Sequence, residues 1–87
     1  MIVKKKVLPE YFKEVKNGNK TFELRLSDWQ IKEGDTLVLK EYDPYTQSYT
    51  GREITKKVGF VIKTKEIKFW KPEEVDKYGY QVISLLD

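Results

Sequence analysis

Three ionic side chains stand close together in "NGNKTFELRLSDW", where Lys20, Glu23 and Arg25 follow Gly18. On an extended strand side chains alternate, so Glu23 and Arg25 project from one face, close enough to orient each other. Lys20 has the opposite parity and joins them only if it still lies in the turn before the strand. A carboxylate between two cations can do recognisable chemistry. The cations attract phosphate or a carbonyl oxygen, and the carboxylate accepts hydrogen bonds from base or amide N–H groups. The glycine in front allows a sharp reversal that brings these residues against the end of a preceding helix. The same spacing also describes a solvated Glu23–Arg25 pair beside a surface lysine, and such pairs contribute little stability.

What is missing narrows the chemistry further. The 87 residues contain neither cysteine nor histidine. Thiolate chemistry, disulfides, cysteine or histidine metal sites and an imidazole base are all excluded within this chain. Any catalysis would use lysine, carboxylate, tyrosine, serine or threonine. The acidic residues Glu33, Asp35, Glu41 and Asp43 scatter around a hairpin without metal-loop spacing, so no metal and no cofactor is expected. A net charge of +3 leans mildly towards a polyanionic partner.

The elements that position these residues can be read from periodicity. "IVKKKVL" is a strand with Val3 and Val7 on one side and Lys4 and Lys6 on the other, Lys5 interrupting the apolar side. "PEYFKEVKNG" is a short helix opened by Pro9, stopped by Asn17-Gly18, with Leu8, Phe12 and Val15 as its apolar stripe. "KTFELRL" follows as a strand with Phe22, Leu24 and Leu26 opposite Thr21, Glu23 and Arg25. "SDWQIKEGD" connects it, through a Gly34-Asp35 turn, to the strands "TLVLKEY" and "REITKKVGFVIK". Ile54, Val58, Phe60 and Ile62 are expected on one face of the latter, Gly59 at a bulge, and a positive φ near Gln47 or at Gly51. "TKEIKFWKPEEVDKYG" is the least regular segment, with Glu73, Glu74 and Asp76 as a solvated turn. "YQVISLL" reads as a strand apolar on both faces. One helix among mostly antiparallel strands implies a mainly β fold, a small β-barrel with a helix over one opening, in a single domain over residues 1–87. The N-terminus lacks the apolar core of a signal peptide, and no run approaches the roughly 18 apolar residues of a membrane span. A soluble cytoplasmic protein that does not engage membranes is the expectation.

Gly18, Lys20, Glu23 and Arg25 spell G-x-K-x-x-E-x-R, which resembles the signature of the ASCH domain of the PUA-like superfamily. "LPEYFKEVKNGNKTFELR", "IKEGDTLVLKEYDP" and "YTGREI" are similar to a small branch found in bacteria and phages, with an echo in "YGYQVISL". The resemblance implies a PUA-like barrel with a cleft beside the helix, lined by Lys20, Glu23 and Arg25, that binds RNA or a nucleotide. Some ASCH relatives resemble amidohydrolases in which a threonine, activated by the motif lysine, stands where this chain has Glu23. That departure leaves Lys20 and Glu23 as the catalytic candidates for a hydrolase of a modified nucleoside or RNA, since adjacent Thr21 should point differently.

Lys6, at the border of the similar region, and Trp29, just after the motif, are peripheral RNA-contact candidates. Lys4, Lys5, Lys63, Lys65, Lys68 and Lys71 could extend a basic surface or simply keep the chain soluble. Trp70 reads as a barrel plug, and Tyr42, Tyr45 and Tyr49 as cross-strand packing at the long hairpin. A further alternative is an accessory domain of a phage or mobile element that contacts another protein through that hairpin.

Overall fold

The computed structural model describes residues 1–66, 71, 73 and 79–86. Five strands, β1 (Ile2–Val7), β2 (Phe22–Leu26), β3 (Thr36–Asp43), β4 (Ser48–Lys63) and β5 (Tyr80–Leu86), form one sheet in the order β1-β3-β4-β5-β2. β1 runs parallel to β3, and the remaining pairs are antiparallel. The helix α1 (Pro9–Lys16) links β1 to β2, the two ends of that order. The result is the expected mainly β fold, a curled half-barrel with one short α-helix. Lys68, Trp70, Glu74 and Asp76 lie outside the described residues.

Inward-facing residues alternate along β1, β2 and β5, as a sheet with one buried face requires. Val7, Leu37, Leu39, Val58, Ile83 and Leu85 form the core with Ile31 from the β2–β3 connection. Phe12 and Val15, three residues apart on one helical stripe, close it from α1. Lys5, which breaks the apolar side of β1, places its ammonium 4.1 Å from the centre of the Trp29 ring.

Two expectations about sheet faces are corrected, on β4 and on β5, while β2 keeps its expected alternation. β4 begins at Ser48, and its register against β5 shifts between Val58 and Val61. Both Val58 and Gly59 are consequently buried, and Phe60 and Ile62 turn outward instead of sharing the face of Ile54 and Val58. A Cβ on Gly59 would lie 2.5 Å from Ser84 Oγ, which explains the glycine at the bulge. β5 buries Gln81, Ile83 and Leu85 but exposes Tyr80, Val82 and Leu86, so only one of its apolar faces is covered. β2 is inverted relative to its polarity: Phe22, Leu24 and Leu26 face outward, and Glu23 is 2% exposed.

Two further buried carboxylates tie the sheet together. Glu41 accepts bonds from Arg52 Nε and Nη2, both 2.8 Å, and from Thr50 Oγ1 at 2.7 Å, across the irregular register of β3 and β4. Arg52 first, then Thr50, holds its carboxyl below the ordinary range. The backbone N–H of Lys32 donates to Asp35 at 2.9 Å and lowers that carboxyl despite its burial. Gln47, in the turn between β3 and β4, and Gly51, within β4, both take positive φ, 56° and 93°.

Candidate functional site

The site is built where the sheet fails to close. β1 and β2 each pair on one side only, and α1 spans between them. The helix ends at Asn17, and Gly18 adopts φ 85°, a conformation that glycine enters without steric cost. The backbone N–H of Lys20 then returns to the Glu14 carbonyl at 2.9 Å. The Glu14 carboxylate accepts from Asn19 Nδ2 at 3.3 Å, which further fastens the turn. β2 starts only at Phe22, so Lys20 lies in the turn and escapes strand parity.

Lys20, Glu23 and Arg25 converge. The Lys20 ammonium donates to Glu23 Oε1 and, at 2.7 Å, to the Phe22 carbonyl. Arg25 Nε donates to Glu23 Oε2 at 2.8 Å, and its Nη2 crosses to the Lys6 carbonyl on β1, also 2.8 Å. Glu23 is enclosed, whereas the Lys20 and Arg25 side chains keep 16% and 24% exposure. Both carboxylate oxygens are thus bonded to cations, and the three groups together carry one net positive charge. A guanidinium has five N–H donors and an ammonium three, so both cations retain donors beyond these contacts.

A cleft of about 740 Å³ opens along this seam. Its walls are Lys6, Val7 and Leu8 on one side, Tyr11 and Glu14 of α1 above, and Asn19, Lys20 and residues 22–25 on the other. The volume falls in the range of small-molecule sites, and an apolar lining with a few convergent polar groups is their usual construction. Tyr11 and Phe22, both in its lining, are each about half exposed.

Of the residues named from sequence, Lys6, Lys20, Glu23 and Arg25 meet here. Trp29 does not line this cleft; it packs against the core under Lys5. Lys63 reaches Gln30 at 3.4 Å, and neither it nor Lys65 nor Lys71 is part of the lining. Thr21 is exposed and also outside the lining. Sequence reasoning missed Tyr11 and Leu8 as cleft residues, although Leu8 at the helix N-cap and Tyr11 in its first turn follow closely on Lys6 at the end of β1, which was a usable signal. It also missed Gln81, which is completely buried opposite Arg25 in the β2–β5 register, with Oε1 unpaired among the described residues. No group of metal-binding side chains is assembled among the described residues. No helix among them is long and apolar enough to cross a membrane.

Residues 2–83 match the family described as a domain of unknown function, DUF3850. The chain belongs to that family. The match covers β1 to β4, the helix and the first residues of β5, so the seam and its three ionic residues lie within the DUF3850 unit. No curated protein matches the sequence.

Proposed function

We propose that this DUF3850 domain binds RNA or a nucleotide in the seam cleft, with Lys20, Glu23 and Arg25 as its polar centre. The observation that carries the reading is the bonded chain from Lys20 through Glu23 and Arg25 to the Lys6 carbonyl, set in a cleft of nucleotide size. Glu23 holds both cations in place, and their remaining donors face an anionic or carbonyl oxygen. With both its oxygens bonded, Glu23 acts by orienting the two cations, and the Tyr11 and Phe22 rings offer stacking surface. The G-x-K-x-x-E-x-R resemblance to ASCH domains, and through them to PUA-like folds, supports the same assignment. A cytoplasmic setting in a bacterium or phage belongs to this proposal.

Fluorescence anisotropy of a short single-stranded RNA and competition by nucleoside monophosphates test it. Binding is expected at low salt, weakening as salt rises. It should be lost in the Lys20→Ala/Arg25→Ala double variant. Absence of binding at low salt, or affinity unchanged in the double variant, refutes the assignment.

A further inference from the structure

Outside the cleft, the outer face of β1, β3 and β4 alternates cations with tyrosines. The β1–β3 register puts Lys6 beside Lys40, and the β3–β4 register puts Tyr42 opposite Tyr49. Their side chains interlock: the Lys6 ammonium sits 4.2 Å from the centre of the Tyr42 ring, and that of Lys40 sits 4.8 Å from Tyr49. The two rings meet edge to face at 5.3 Å. Lys4 lies on the same face through its pairing with Val38. Glu53, opposite Lys40, is the acidic residue of this face, yet neither Lys6 nor Lys40 is in a salt bridge among the described residues.

We infer that this face is a second, contiguous contact surface for single-stranded nucleic acid, receiving the chain as it leaves the cleft. The inference rests on the nucleotide reading of the cleft and extends it. Lys6 is the joint, because its carbonyl is bonded inside the seam to Arg25 while its ammonium lies on the outer face over Tyr42. Phosphates and bases alternate along a strand of RNA, and the face offers ammonium and ring in the same alternation. Ammonium groups held on aromatic faces without carboxylate partners remain available to phosphate, and a ring with half its surface exposed, as in Tyr49, can stack a base.

The test compares uridine monophosphate with a ten-nucleotide single-stranded RNA on the wild type, Lys40→Ala/Tyr49→Ala and Lys4→Gln/Lys40→Gln. The glutamine pair keeps the rings and guards against loss of folding in the first variant, whose thermal midpoint is measured alongside. On the wild type the ten-mer is expected to bind at least about tenfold more tightly than the monophosphate. Both variants should lose most of that gain and show a shallower salt dependence, with monophosphate affinity unchanged. Equal affinity for the two ligands, or an undiminished gain in both variants, overturns the inference and leaves the cleft assignment standing. Displacement of the ten-mer by polyglutamate as readily as by RNA also overturns it. Conversely, if the monophosphate does not bind but the ten-mer does, dependent on Lys40 and Tyr49, the cleft assignment falls and the outer surface stands.

Discussion

Arg25 Nη2 donates to the backbone carbonyl of Lys6 at 2.8 Å, joining the two strands at opposite ends of the sheet order. One guanidinium therefore does two things at once: it binds Glu23 and it spans the open seam. Lysine in its place keeps the charge but has no planar fork with which to do both. Arg25→Lys is expected to weaken RNA binding several-fold and to lower stability by about 1 kcal/mol, the worth of a hydrogen bond. Anisotropy and urea midpoints measure the two effects, and an unchanged affinity would separate Arg25 from recognition.

Glu23 and Leu24 reverse the usual ranking of a polar and an apolar neighbour. Removing Glu23 leaves Lys20 and Arg25 facing each other without a counter-charge. Glu23→Ala is expected to cost about 2–4 kcal/mol, somewhat under a fully buried pair because both cations keep some water. Leu24, 58% exposed, should tolerate Leu24→Thr within about 0.5 kcal/mol. Urea unfolding of both variants decides the matter, and a larger loss from Leu24→Thr would contradict the inward orientation of Glu23.

At Gly59 the bulge leaves no room for a side chain. A methyl group there meets Ser84 Oγ, which is held by the Phe60 N–H at 2.6 Å, and the Leu86 side chain at 3.2 Å. Gly59→Ala is expected to destabilise by about 1–3 kcal/mol through overpacking, read as a lower thermal midpoint. A neutral substitution would mean that β4 and β5 do not approach as described.

Acid should unfold the domain partly through Glu41. Its native carboxyl titrates below the ordinary value of 4.5, and unfolding returns it to that value. The unfolded chain therefore binds the proton first, so the contribution is complete above about pH 5 and is lost as pH falls from 4.5 towards the depressed native value. The gap between the urea midpoints of wild type and Glu41→Gln should be widest near pH 7 and narrow as pH falls below 4.5. A gap that is constant with pH would show that the Arg52 pairing adds no charge-dependent stability.

Much of the fold was legible because it is local. Pro9 and Gly18 bound the helix, Gly59 marked the bulge, and alternation gave the parity of β1. The condition for Lys20 to meet Glu23 and Arg25, that it lie in the turn, was also legible. Which face of β2 turns inward was not. Its three apolar residues argue for one answer, and only the closure of the seam by Arg25 and Lys6, 19 residues apart, gives the other. Burial of Glu41 and Asp35 was hidden for the same reason, since Arg52 and the Lys32 backbone become their partners only through tertiary structure. Trp29 looked like a stacking platform by sequence proximity, and its place beneath Lys5 depends on the path of the connection over the core.

The most direct test follows the Arg25 Nε–Hε resonance by NMR while uridine monophosphate is added at low salt. Binding in the seam should shift that resonance saturably, together with the backbone amides of Tyr11 and Phe22, at one common affinity. Saturable binding that leaves Arg25 unmoved, or no binding at millimolar nucleotide, would contradict a nucleotide site between β1 and β2.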